Sequence, residues 1–372
     1  MRILHVITSL GIGGAESVAI DLACKHAKSS DVAILTLFKA PDSQRDIAES
    51  RRTQAFRNGV TLHEAIIQSR LGILFSVLRL LFRVLWSRPE IVHSHTDLPD
   101  FCVSLVRRFV RFNIVRTIHN SELWTTHKWL SLLTESGFTD DLIIAINMVT
   151  MDAYKALRRK NGLSPSPFCD IIPNGIDEIG FTEYLDNEKA DLLLDGDRTR
   201  TQFGFVGRLE KQKGIDVLVE AVDMLPADVI KKSQFHFIGT GALSSMVADL
   251  EQRHGDAIRM HGSVPTARTL LRAFDCVLIP SRFEGMPLIG VECLMARVPA
   301  VITKIPGLID IFSDEWPLIA NPGDSVSLRD LLVKFILDRT WLPPNISLEA
   351  FSLDNSALSY LSNYQLYLGR SK

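Results

Sequence analysis

Cys276 to Thr303 reads CVLIPSRFEGMPLIGVECLMARVPAVIT. A short apolar run stops at Pro280 and Ser281, and a second one, PAVIT, closes the stretch. Between them GMPL begins a helix, with Pro287 in its first turn, where a missing N–H costs nothing. Strand, helix, strand in direct succession is a right-handed parallel unit, and its repetition makes a doubly wound sheet.

The same pattern runs outward in both directions. FGFVG, FHFIG and IRMHG precede it as apolar runs, each ended by glycine. Near the N-terminus RILHVIT, DVAILTL, IVHSH, NIVRTIH and LIIAI read as buried parallel strands, with helical stretches such as ESVAIDLACKHAKSS between them. The alternation breaks after Asp170, where IIPNGIDE is a strand followed by turn residues and EYLDNEKADLLLDGDRTRT is charge-rich. The expected class is therefore α/β, with two doubly wound parallel-sheet domains facing a central cleft. Residues 1–180 form the first domain, 181–200 a linker and 201–353 the second. A terminal helix over 354–372 has Tyr360, Leu361, Tyr364, Leu366 and Tyr367 as its apolar stripe. Ligands of such sheets sit at the carboxyl ends of the strands.

Composition agrees with two domains of ordinary size: 372 residues, 46% of them hydrophobic. The net charge of -2, from 41 basic and 43 acidic residues, gives no reason to expect nucleic acid as a partner. Cys24, Cys102, Cys169, Cys276 and Cys293 are scattered, with no C-x-x-C pair, and read as small apolar residues in a reducing, cytoplasmic setting. The opening MRILHVITSLG suits a buried first strand better than a signal peptide. Arg70 to Glu90, RLGILFSVLRLLFRVLWSRPE, is strongly apolar but too short and too charged for a membrane span. Arg79, Arg83 and Arg88 fall roughly on one side of it. Two readings are open: a packed helix with a basic outer face, or an interfacial helix on an anionic membrane surface.

Candidate chemistry collects at strand ends. Glu284 and Glu292 lie eight positions apart in an otherwise apolar stretch. At about 100° per residue, Glu292 returns to within roughly 80° of the face that Glu284 starts. The N–H groups of Gly285, Met286 and Leu288 lie between them and suit an anion. One ligand could span both carboxylates, with phosphates at the helix tip and vicinal hydroxyls on an acidic acceptor. A glycosidase pair is the competing use of two carboxylates; a capping glutamate with an incidental neighbour is the structural one. Arg208 and Lys213, in GFVGRLEKQKGIDVLVEA, follow another strand and suit a diphosphate. SLGIGGAES and FIGTGALSSMVADL each lack the third glycine of a dinucleotide fingerprint, which argues against a nicotinamide-dependent dehydrogenase. The DGD at Asp195–Asp197 sits in the linker without converging ligands and is not read as a metal site.

Together GGAE, IVHSHT, VRTIHN, IPNGID, VGRLEKQKG and EGMPLIGVE, in this order along the chain, resemble retaining glycosyltransferase family four. The resemblance implies a GT-B fold and transfer of a sugar from a nucleotide-sugar, a UDP-sugar favoured, with no metal and no cofactor. It implies that Glu292 holds ribose hydroxyls and that Glu284 contacts the transferred sugar. Arg208 and Lys213 neutralise the leaving diphosphate, with Gly285, Met286 and Leu288 at the helix tip. Gly14 closes its backbone onto the phosphates, and His95 hydrogen-bonds the sugar. His93 is read as a core-facing strand residue and His119 as more structural than catalytic. The acceptor would be a saccharide or a lipid-linked saccharide, in envelope polysaccharide assembly such as O-antigen or capsule, at the cytoplasmic membrane's inner face. A nucleotide-sugar epimerase or a phosphorylase of the same fold is the alternative, and a non-catalytic subunit the most distant one.

Overall fold

A computed structural model describes residues 1–11, 13–67, 72–124, 128–177, 197–264, 267–338 and 348–370. The chain divides into two compact units. One joins Met1–Asp177 to Glu349–Lys372; the other is Glu178–Leu348. Most of the expected linker, 181–196, lies outside the described residues, as do Asp195 and Gly196.

The first unit holds strands β1 (Arg2–Ile7), β2 (Asp31–Thr36), β3 (Thr61–His63), β4 (Ile91–His95), β5 (Ile114–Ile118), β6 (Leu142–Ala145) and β7 (Cys169–Ile171). They pair in the order β3-β2-β1-β4-β5-β6-β7, every pairing parallel. Its helices are α1 (Gly14–His26), α2 (Arg45–Arg57), α3 (Gly72–Ser87), α4 (Asp97–Arg107), α5 (Lys128–Glu135) and α6 (Met148–Lys160). The second unit repeats the design. Its strands β8 (Thr201–Val206), β9 (Ser233–Ile238), β10 (Ile258–Gly262), β11 (Cys276–Ile279), β12 (Ala300–Thr303) and β13 (Ile319–Ala320) pair as β10-β9-β8-β11-β12-β13, again all parallel. Its helices are α7 (Ile215–Asp223), α8 (Ala227–Ile230), α9 (Ser244–His254), α10 (Leu288–Ala296), α11 (Pro306–Phe312) and α12 (Ser325–Leu337). The last helix, α13 (Leu353–Arg370), belongs to the first unit. In each sheet the order reverses around the first strand, which is where doubly wound sheets take their ligands.

The chain leaves and re-enters the first unit through paired segments. Ile176 N–H donates to Phe351 O at 2.8 Å and Leu353 N–H to Ile176 O at 3.1 Å. Lys25 of α1 reaches both Asp177 and Asp354. Tyr360, Tyr364 and Tyr367 of α13 are buried, as expected, but Leu366 is 63% exposed and drops out of the apolar stripe.

Helix α3 departs further from expectation. Arg79 turns inward and donates to the carbonyls of Thr36, His63 and Glu64 at 3.1, 2.7 and 2.8 Å. These are the last acceptors of β2 and its edge partner β3, and a buried C=O needs a donor. The outer face is consequently apolar: Leu74, Phe75, Leu78, Phe82, Leu85 and Trp86 are exposed, while Leu80 and Val84 are buried. The packed helix with a basic outer face is not what forms.

Candidate functional site

In the second unit the candidate residues gather where β8, β11 and β12 end. Lys213 lies on the turn after β8, and its Nζ sits 2.5 Å from Glu284 Oε1. Ser281 Oγ donates to the same oxygen at 2.8 Å. Ser281 is itself fixed by its own carbonyl, which accepts from Thr303 Oγ1 at 2.5 Å, at the end of β12. Glu284 is only 8% exposed, so its charge is held in place by a cation and a hydroxyl. Arg208 is exposed and donates to Gln212 Oε1 at 3.0 Å; Gln212 in turn donates to Phe283 O at 3.2 Å. Gln212 thus ties the cationic turn to the acidic one. Nothing in its local sequence signals that, because the contact spans 71 positions.

Two close approaches build this corner. Gly214 ends the turn at φ +71°, and a Cβ there would stand 1.9 Å from Pro280 O. A Cβ on Gly307, at the start of α11, would stand 2.2 Å from Gly285 O. Helix α10 begins at Leu288, one position later than Pro287 in its first turn predicts; Pro287 is the N-cap, with extended backbone and no side-chain cap. The amides of Leu288 and Ile289 therefore open α10 without an intrahelical acceptor, beside Met286, which is buried. Glu292 lies further along α10 and is half-buried. Charge of both signs and a helix tip occupy one corner, an arrangement suited to a diphosphate with hydroxyl-bearing groups on either side.

In the first unit Gly14 opens α1, exposed and with open space around its Cβ position. The loop before it is clasped by Arg51, which sequence reading missed. Its guanidinium donates to Gly11 O and, at 3.4 and 3.3 Å, to Leu10 O and Gly13 O. Thr96, just past β4, is held at φ +76°, a strained backbone for a β-branched residue, and its Oγ1 meets Thr8 Oγ1 at 3.2 Å. Asp97 follows it, its carboxyl raised to about 6 by burial and accepting from Trp124 N–H at 2.9 Å.

His95 does not present itself to a ligand. It is 1% exposed, with Nε2 3.1 Å from His5 Nδ1 and Nδ1 3.1 Å from His119 Nε2. Both ring nitrogens are engaged, so the hydrogen bond to a sugar expected of His95 has no atom to come from. The cause is strand alternation: His93 and His95 share the face that α13 covers. His93 meets Tyr364 Oη and Thr117 Oγ1, each at 2.7 Å. His119 is the outermost member, one residue past β5.

The family model described as Glycosyltransferase Family 4 matches residues 12–178, and that described as Glycosyl transferases group 1 matches 200–338. A putative teichuronic acid biosynthesis glycosyltransferase, TuaC of Bacillus subtilis, is 24% identical over 272 residues, 68% of this chain and 63% of its own length. The chain thus spans a little under two thirds of that relative. Among solved structures, Anabaena Alr3699/HepE in complex with UDP and glucose superposes with a TM-score of 0.77 at 18% identity, covering 98% of this chain and 100% of that one. WaaG, a glycosyltransferase involved in lipopolysaccharide biosynthesis, gives 0.69 at 13% identity, covering 99% and 95%.

Proposed function

Since the chain belongs to the family-four, group 1 glycosyltransferases and has the GT-B fold, we propose that it moves a sugar from a UDP-sugar to a saccharide acceptor, with retention of configuration and without a metal. The Lys213–Glu284 pair at the tip of α10 is the observation that carries this reading. Breaking a sugar–phosphate bond leaves oxocarbenium character on the sugar and negative charge on the diphosphate. Lys213, Arg208 and the amides of Leu288 and Ile289 meet the developing charge. Gly285 and Met286 bring the chain close to the phosphates, Glu284 contacts the transferred sugar, and Glu292 accepts from ribose hydroxyls. Gly14 offers its amide to an anionic group at the first unit's glycine loop. The acceptor hydroxyl attacks on the face the diphosphate leaves, and its proton passes to a leaving phosphate oxygen. A teichuronic acid enzyme among the relatives and a lipopolysaccharide enzyme among the structural neighbours support an envelope polysaccharide setting.

A thermal-shift screen of UDP-, GDP- and ADP-sugars tests the donor. A ligand at about 100 times its Kd stabilises by roughly 2.7 kcal/mol. Glu292→Ala should erase the shift given by the UDP-sugar. Turnover that consumes donor equally with and without saccharide would replace transfer by epimerisation or hydrolysis.

The exposed face of helix α3 supports a lipid-linked acceptor. Its exposed leucines, phenylalanines and Trp86 share the helix with Arg83, whose guanidinium lies 5.9 Å from the Phe82 ring centroid. Sixteen residues span about 24 Å, and among the described residues no helix is long and apolar enough to cross a membrane. Lying on an anionic leaflet, α3 buries this face and places the protein beside a lipid-linked saccharide. Wild-type protein should sediment with phosphatidylglycerol-containing vesicles, and Leu78→Glu/Trp86→Glu should stay in the supernatant while binding UDP-sugar normally. Equal sedimentation of the two proteins would remove the membrane from the proposal.

A further inference from the structure

Two of the five non-glycine residues at positive φ, counted among the described residues, adjoin one carboxylate. Thr96 stands at φ +76° and the buried Trp124 at φ +58°. Neither a β-branched residue nor a bulky aromatic one takes such a backbone without cost, and strain of this kind collects at functional sites. Asp97 follows Thr96 directly, and its Oδ2 accepts the Trp124 N–H at 2.9 Å. Its place in the sheet is the topological switch point. β1 and β4 are neighbours there, and Thr8 and Thr96, just past their carboxyl ends, meet through their hydroxyls. Open sheets take ligands in that crevice.

The carboxylate is only half spent. Among the described residues Oδ1 meets no donor, and it is not one of the sealed side-chain atoms that lack a partner, so it opens to solvent. Its charge also works against the fold. Burial raises the carboxyl to about 6; Asp100 of α4 and Glu135 of α5 push the same way, against the Trp124 N–H and Arg116 of β5. The unfolded value is about 3.9, so between there and about 6 the fold loses stability as pH rises. A residue kept only to accept from Trp124 N–H would serve better uncharged.

We propose that Asp97 is a specificity-determining residue whose Oδ1 accepts hydrogen bonds from hydroxyl groups of the acceptor saccharide, while Oδ2 stays anchored on Trp124. This rests on the glycosyltransferase reading above. Hydrogen bonds to an ionised acceptor are the strong ones, so acceptor binding fades as the carboxylate takes up its proton. The donor's phosphates draw on Lys213 and Arg208 of the second unit and do not share this group.

Transfer from UDP-glucose to glucose, galactose and N-acetylglucosamine, as probe acceptors, is followed from pH 5 to 8. The acceptor KM of the wild type should rise about tenfold from pH 7 to pH 5, as the ionised fraction falls, with the UDP-glucose KM nearly level. Asp97→Asn keeps a carbonyl oxygen for Trp124 N–H. Its acceptor KM should be about tenfold higher at pH 7 and independent of pH, and it should melt above the wild type at that pH. An unchanged acceptor KM in Asp97→Asn, or a loss shared equally by donor and acceptor, overturns the proposal. So does a lower melting temperature with normal kinetics, which makes Asp97 a structural clasp. If Asp97→Asn fails to fold, the wild-type profile decides, and an acceptor KM level from pH 5 to 8 overturns it. Carboxyl ¹³C spectra of protein labelled at aspartate give an arm that needs no turnover: the same saccharides should lower the pKa of Asp97. Saccharides that shift it but are never glycosylated uphold the site and count against the glycosyltransferase reading. Saccharides that are glycosylated and leave it unmoved uphold that reading and overturn the site.

Discussion

Lys213→Ala should lower kcat by about 10²–10³, the usual cost of removing one preorganised group aimed at developing charge. Its Nζ is the cation in contact with the buried carboxylate of Glu284, four residues before α10 begins. The substitution also has a structural cost, which must be separated from the catalytic one. Breaking a fully buried pair costs about 3–5 kcal/mol. Lys213 is 21% exposed, so a smaller loss of roughly 1–2 kcal/mol is expected here. The double variant Lys213→Ala/Glu284→Gln removes the stranded charge. It should recover most of the thermal stability and none of the rate. Steady-state kinetics and melting curves on the three proteins decide the matter. Recovery of turnover in the double variant would mean that Lys213 only neutralises Glu284 and takes no part in the departure of the diphosphate.

The elements legible in the sequence are those whose information is local. Strands paired on both sides, such as β6 and β11, are continuous apolar runs because both faces are covered. The strands that the sequence does not reveal, β3 and β13, are both sheet edges of two or three residues. An edge strand needs neither length nor continuous apolarity, so it leaves little trace. The candidate site divides the same way. Its glutamates, cations and glycines are conspicuous by type, and the ends of the strands place them. The joining contacts, Gln212 to Phe283 O and Lys213 to Glu284, depend on which strands become neighbours, and no periodicity encodes that. His95 shows the limit most clearly. Alternation puts it in phase with His93, yet the face they share is closed by Tyr364, 271 positions from His93. The direction of Arg79 was hidden for the same reason: its acceptors lie at the ends of β2 and β3, outside its own helix.

Gly214→Ala should destabilise the protein by about 2–4 kcal/mol and disable the site as well. Two costs combine. The left-handed backbone at φ +71° charges any L-residue roughly 1–2 kcal/mol. The new Cβ would also stand 1.9 Å from Pro280 O, a backbone atom at the end of β11 that cannot rotate away. Gly323→Ala supplies the control. Its φ is +76°, but nothing lies within 4 Å of the added carbon, so it bears the conformational cost alone. The difference between the two variants measures the close approach of the β8–α7 turn to β11. At about 2–4 °C per kcal/mol for a unit of this size, Gly214→Ala should melt several degrees below Gly323→Ala. Displacing the turn moves Lys213 off Glu284 and Arg208 off Gln212, so donor binding should weaken in Gly214→Ala and stay normal in Gly323→Ala. A small side chain can enter only if the turn lifts from β11, and that separates the cations from the helix tip they share. Equal melting temperatures, or unaltered UDP-sugar binding in Gly214→Ala, would show that the turn yields without disturbing the corner, and the case for a rigid diphosphate pocket built from β8 and β11 would fall.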